Sequence, residues 1–215
     1  MRAKEAERFM NVVLQALREE HSILCKLRKK HEHTYHSFDG GVFDLRENAL
    51  VYIVYKKLLG SRSFKNFSIN WEDNYTKKKG RKSPPRRADI CVTKDKSPKA
   101  KGPWHYFEFG RYNAKKVQTD YQKLKELKAD KTTDIEGKYL VLYDHCLYRK
   151  QNNLENKLRR LRHYSNITML HYVCKRSLVW KEYPTFDKNG NFKEHEKRIF
   201  EIALCKIRDW RLDYL

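Results

Sequence analysis

No run in this 215-residue chain approaches the roughly 18 consecutive apolar residues that a transmembrane helix needs, so no membrane span is expected. The first residues are charged (Arg2, Lys4, Glu5, Glu7, Arg8), without the apolar core and small-residue cleavage site of a signal peptide. Five cysteines, at positions 25, 91, 146, 174 and 205, are odd in number, scattered and free of any CxxC pair. That usage points away from a disulfide framework or zinc ribbon and toward reduced thiols in an intracellular protein. Internal repeats and a clear domain linker are also missing, so one domain is expected. The scarcest commodity is negative charge. Only 27 residues are Asp or Glu against 48 Lys or Arg, a formal surplus of +21.

What is present is enough to fold. Hydrophobic residues make up 40% and aromatics 13%, which excludes a disordered basic tail. A surface this basic attracts polyanions by counterion release, and nucleic acid is the commonest of them. The charge is concentrated in residues 77–87, KKKGRKSPPRR, where seven of eleven side chains are basic. Lys77, Lys78, Lys79, Arg81, Lys82, Arg86 and Arg87 are therefore the expected phosphate contacts, on a loop broken by Gly80, Pro84 and Pro85.

Periodicity supplies the elements. Phe9, Val12, Val13, Ala16, Leu17, Leu24 and Leu27 recur at helical spacing and predict a long helix over 3–30. Asp44 is placed to cap a second helix that ends at Gly60, with Leu50, Ile53, Val54 and Leu58 on one face. Alternation at Phe67, Ile69 and Trp71 predicts a strand, and further strands are expected over 87–93 and 104–109. A helix over 113–129, a buried strand at 139–143 and a basic helix over 150–162 follow. A strand at 167–173, the segment 178–183, a turn at 187–190 and a closing apolar segment complete the chain. Strands alternating with helices predict one α/β domain with a partly parallel sheet.

Two acidic residues interrupt apolar strands: Asp89 before Ile90, and Glu108 between Phe107 and Phe109. Burying a carboxylate costs several kcal/mol unless charge or hydrogen bonds compensate it. Carboxylates on neighbouring strands can share a hard divalent cation, and Glu47 opens the helix that precedes them. The order of these pieces resembles the PD-(D/E)XK nuclease superfamily over roughly residues 44–145. They are the helix with Glu47, then Arg87-Ala-Asp89-Ile, Phe107-Glu108-Phe-Gly110, an amphipathic helix and a buried strand.

The resemblance implies a restriction-endonuclease-like αβββαβ core, a central mixed sheet flanked by helices. Residues 1–43 would be an N-terminal helical extension and 146–215 a C-terminal one. It implies a metal-dependent DNA endonuclease, with Glu47, Asp89, Glu108 and the carbonyl of Phe109 holding Mg²⁺ or Mn²⁺. Ala88 replaces the family's proline, and Gly110 replaces the lysine of the Glu-x-Lys motif. Some branches, the viral cap-snatching endonucleases among them, take that lysine from the following helix. Lys115, Lys116 and Lys123 are the candidates, and Lys123 is the expected catalytic one, with phosphate contact the alternative for Lys115 and Lys116. The rival expectations are a nucleic-acid-binding subunit on an inactive nuclease fold, or a ribonuclease. A homodimer is possible in the family, and no apolar stripe identifies an interface.

Other groupings carry less. His31, His33 and His36 match no defined metal site, and Asp144-His145 point to opposite strand faces, which opposes a nucleophilic dyad. Tyr112 and Trp104 are the aromatics best placed to stack on bases. Lys157, Arg159, Arg160 and Arg162 are expected to form a phosphate-facing surface rather than internal salt bridges.

Overall fold

A computed structural model describes residues 3–30, 41–74, 87–94, 102–127, 134–147, 154, 156–158 and 169–207. The helical spacing at the N-terminus produces α1, Ala3–Lys30, whose Phe9, Met10, Val13 and Leu17 are buried, while Leu27 faces solvent. A 3-10 turn, Gly41–Asp44, leads into α2, Glu47–Leu59. Asp44 ends that turn and does not cap α2; the N-cap is Arg46, whose side chain makes no capping hydrogen bond. Gly60 does end the helix, in right-handed conformation, donating its N–H to the Lys56 carbonyl at 3.3 Å.

Strands β1 (Ser68–Asn74), β2 (Arg87–Thr93) and β3 (Trp104–Arg111) form an antiparallel meander. After α3, Ala114–Glu126, the chain enters β4, Ile135–Leu147, parallel to β3. Val141 pairs with Phe109 and Leu142 with Gly110, so β3 and β4 end on the same side. The segments expected separately at 167–173 and 178–183 are one strand, β5 (Met169–Phe186), interrupted by register shifts. The Asp187–Gly190 turn joins it to β6, Phe192–Ile207. β6 inserts between β4 and β5, giving the order β1-β2-β3-β4-β6-β5. The molecule is thus mixed α/β, with a mixed sheet flanked by helices.

Side-chain alternation divides the core in two. On one face Ile90, Phe107, Phe109, Val141 and Leu204 meet α1 and α2, where Phe9 stacks on Phe107 with ring centroids 4.2 Å apart. On the other, Tyr106, Leu140, Leu142 and Ala203 meet Val117, Tyr121 and Leu124 of α3, with Leu154 and Leu158. α1 and β6 therefore build the same core as residues 44–145. Among the described residues no helix is long and apolar enough to cross a membrane.

Candidate functional site

The site forms where the start of α2 and one face of α3 approach the start of β2 and the end of β3. The β2–β3 ladder runs from Thr93–Trp104 to Ile90–Phe107. One step further it would set Asp89 directly opposite Glu108, two like charges on one face, which is destabilising. Instead the ladder stops, and the Asp89 side chain takes over a backbone partner: the Phe109 N–H donates to Asp89 Oδ2 at 2.6 Å. Glu108, on an interior strand of the sheet, is 1% exposed. Glu108 therefore lies neither on an edge strand nor on the solvent side.

Helix α3 supplies the compensating charge. Asn113 caps it by accepting from the backbone N–H groups of Lys115 and Lys116, which sets the first turn beside Gly110. Lys116 Nζ lies 2.8 Å from Glu47 Oε1 and 3.1 Å from Asp120 Oδ2. Lys123 Nζ lies 2.9 Å from Asp120 Oδ1 and 3.5 Å from Glu108 Oε2. The chain Glu47–Lys116–Asp120–Lys123–Glu108 thus alternates in sign across three elements, with Asp120 as its central link. Helical spacing explains it, because residues three and four apart share a face.

Burial lowers the proton affinity of both lysines, but their carboxylate partners more than offset it. Lys116 is raised above the ordinary lysine value by Glu47 and Asp120, and Lys123 by Glu108 and Asp120. Both remain ammonium groups at neutral pH. Burial pushes Asp89 up to about 6 against the Phe109 N–H, with the charge of Glu47 adding to it and Lys116 and Lys123 opposing it.

The structure thus gathers Glu47, Asp89, Glu108, Phe109 and Lys123 into one neighbourhood. It also brings in two residues that the sequence reading undervalued. Lys116, a candidate passed over in favour of Lys123, touches Glu47. Asp120, given no role, is 2% exposed and holds both lysines. Its signal was present: an acidic residue beside Val117, Tyr121 and Leu124 on an apolar helix face, three and four residues from two lysines.

Hard carboxylate oxygens suit a hard divalent cation. Among the described residues, no three His, Cys, Asp or Glu side chains converge as a metal-holding group, and the two ammonium groups stand among the carboxylates. The residues fit such a cation in kind, and the lysines would have to yield to admit it.

Several other expectations resolve differently. Trp104 is buried against Tyr106 and cannot stack on a base. Lys157, expected on phosphates, pairs with buried Asp144 and lies 5.3 Å above the Tyr112 ring, whose hydroxyl donates to the Lys157 carbonyl. Asp144 is thus held by an internal ion pair, with Arg111 Nε a further 4.0 Å contact. Its cross-strand partner Glu201 is also buried and accepts from the Leu154 N–H at 2.9 Å. Lys77, Lys78, Lys79, Arg81, Lys82 and Arg86 lie outside the described residues, as do His31, His33, His36, Arg159, Arg160 and Arg162. Arg87 is described and pairs with Glu72 at 3.0 Å on the surface. Comparison with protein-family models, curated proteins and solved structures returned no match.

Proposed function

We propose that the chain is a divalent-metal-dependent nuclease with a restriction-endonuclease-like fold, hydrolysing phosphodiester bonds of DNA. The observation that carries this is the gathering of Glu47 of α2 and Glu108 of β3 onto Lys116 and Lys123 of α3, with Asp89 of β2 bonded to the Phe109 N–H beside them. Lys116 lies in the space that a side chain at Gly110 would occupy. The order α2-β1-β2-β3-α3-β4, with an antiparallel meander followed by a parallel β4, supports the fold reading.

A Mg²⁺ or Mn²⁺ ion at Glu47, Asp89, Glu108 and the Phe109 carbonyl would supply Lewis-acid polarisation of the phosphoryl oxygen. The chain's own residues do the rest. Lys116 and Lys123, drawn off Glu47 and Glu108 but still tethered by Asp120, would donate hydrogen bonds to the non-bridging oxygens, and these strengthen as negative charge builds on the phosphoryl group. Water adds to phosphorus, the bond to the leaving oxygen breaks, and that oxygen departs with a proton. Asp120 keeps both ammonium groups aimed at this space.

The test is incubation of the purified protein with supercoiled plasmid, linear duplex, single-stranded DNA and RNA, each with Mg²⁺, Mn²⁺ or EDTA, beside Glu108→Ala. Cutting of DNA that needs the metal and Glu108 supports the reading. Cutting confined to RNA makes the protein a ribonuclease, and absence of cutting under every metal sinks the proposal.

One observation favours a second reading, a nucleic-acid-binding subunit without catalysis. Lys116 and Lys123 already neutralise the carboxylates that a cation would need. Thermal melting separates the two. A site that binds Mn²⁺ gains stability as the ion is added, whereas one closed by its own lysines shows no shift.

A further inference from the structure

Three aromatic rings meet on the outer surface of α2 and β1. The Trp71 ring lies 5.3 Å from that of Tyr52 and 5.8 Å from that of Tyr55, tilted by 48° and 34°. Trp71 is 40% exposed and Tyr52 48%. Tyr55 is half-buried against the core and backs the other two. A single exposed ring needs no explanation, but two adjoining large rings left in water mark an interaction surface. These rings are also held in place: Trp71 by the β1–β2 ladder, where it pairs with Ile90, and the tyrosines by a helix whose Leu50, Val51, Val54 and Leu58 are buried.

The surroundings identify what the rings can take. Lys56 is exposed one helical turn beyond Tyr52, on the same face. Arg87, opposite Asn74 on the same strand pair, has an exposed side chain that is paired with Glu72 at 3.0 Å, which leaves Lys56 as the nearer cation. In sequence, six basic residues over 77–86, outside the described residues, separate β1 from β2, and the whole chain carries a net +21. Aromatic faces beside cations suit unpaired nucleotides, since every base has a π face and every phosphate a charge. Bases inside a duplex are already stacked on one another and cannot offer that face. An acidic protein would satisfy the lysine and arginine but give the rings nothing planar to cover them.

The platform also shares its elements with the proposed centre. α2 begins at Glu47, and Trp71 pairs with the residue next to Asp89. A rise of about 1.5 Å per residue sets Tyr52 and Tyr55 roughly 8 and 12 Å along the helix axis from Glu47. We infer that Tyr52, Tyr55 and Trp71 form a stacking platform for unpaired nucleotides, so that the preferred substrate carries a single-stranded portion. The inference rests on the nuclease reading for the word substrate, and on the platform alone for the binding.

The test measures binding by fluorescence anisotropy in EDTA, where no cutting occurs, with a labelled oligo-dT and a labelled blunt duplex. Trp71→Ala should weaken oligo-dT binding about tenfold or more. Duplex binding and the salt dependence should hold, because no charge is removed. Trp71→Phe should retain most of the affinity, which separates a lost ring from a damaged fold. Unchanged oligo-dT binding by Trp71→Ala overturns the inference, as does equal loss for oligo-dT and duplex without rescue by phenylalanine. A change from dimer to monomer on gel filtration with unchanged oligo-dT binding also overturns it, and marks the surface as a self-association face. Failure of the nuclease reading looks different. Wild type would bind oligo-dT through Trp71 yet cut nothing under any divalent cation. Cutting of single strands that ignores Trp71→Ala would sink the platform and leave the nuclease.

Discussion

Lys116 fills the space that any side chain at position 110 would need. A Cβ on Gly110 would lie 2.6 Å from Lys116 Cε and 3.5 Å from Glu47 Oε2. Glycine at this position therefore leaves room for an ammonium group delivered from α3 to the end of β3, and Lys116 takes it. The absence of a lysine two residues after Glu108 is matched by the presence of one from the next helix. Lys123, the residue favoured by the family resemblance, reaches Glu108 only at 3.5 Å and is held more closely by Asp120.

Lys116→Ala should lower the cleavage rate by about 10²–10³, the usual range for one preorganised donor. Gly110→Lys in the Lys116→Ala background should recover part of it, because the new side chain enters the vacated space. Gly110→Lys alone should be impaired, since two side chains then compete for one volume. Single-turnover cleavage measures all three. If Lys116→Ala cuts at the wild-type rate while Lys123→Ala does not, the assignment passes to Lys123.

Asp120 is a positioning residue in this scheme, and its variants report on the lysines. Asp120→Ala should cost about 1–3 kcal/mol, discounted from a fully buried pair because both lysines are about a third exposed. Asp120→Asn keeps the shape and loses the charge, so it should fold well yet cut more slowly. Its defect should fall on kcat rather than KM, because binding through the basic surface is untouched. A pure KM effect would place Asp120 outside the reaction.

Much of this was legible in the sequence, for physical reasons. The acidic residues on β2 and β3 stood out because burial of charge inside an apolar strand demands a partner, and the partners exist. β2 and α3 were readable from their periods. The cap of α2 was not, because Asp44 is used up in a 3-10 turn and Arg46 caps by backbone geometry alone. The place of β6 was not legible either. The sequence shows only a closing apolar segment there, with Ile199, Ile202 and Leu204, and nothing local says that it will form a strand inserted beside β4. Lys157 was misjudged for a related reason: Asp144 lies 13 residues before it, and only the fold brings them together.

The N-terminal helix should prove inseparable from the rest. Phe9 is fully buried, stacks on Phe107 of β3 and meets Phe64 edge-on at 6.3 Å. Phe9→Ala removes the ring stacked on Phe107, the residue before Glu108, at a cost of about 3–5 kcal/mol. Denaturant titration should show a lower midpoint with an unchanged slope, and cleavage should fall only as far as the folded fraction does. A midpoint unmoved by Phe9→Ala would make α1 an appendage to the core.

Asp89 and His105 pull the acid stability of the protein in opposite directions. Burial lowers His105 to about 4, so at neutral pH its neutral ring meets Glu136, with Nε2 3.1 Å from Oε2. Below pH 6.5 the unfolded histidine takes up a proton that the folded one refuses, so this group makes stability fall as pH drops from about 6.5 to 4. Asp89 does the reverse. Its carboxyl is raised from 3.8 to about 6, so between those values the folded state holds the extra proton and stability falls as pH rises. Asp89→Asn removes the second effect and leaves the first. The variant should gain about 1–3 kcal/mol at pH 7, because an ionised carboxylate no longer has to be kept in a half-buried site. It should also lose stability more steeply than wild type on acidification through pH 6 to 4, approaching about 1.4 kcal/mol per pH unit for one proton. Chemical denaturation across that range measures both slopes. A variant less stable than wild type at pH 7 would mean that the Phe109 N–H and the two lysines outweigh the cost of burying the Asp89 charge. Stability gained there with cleavage lost would identify Asp89 as a residue kept for chemistry at the expense of the fold.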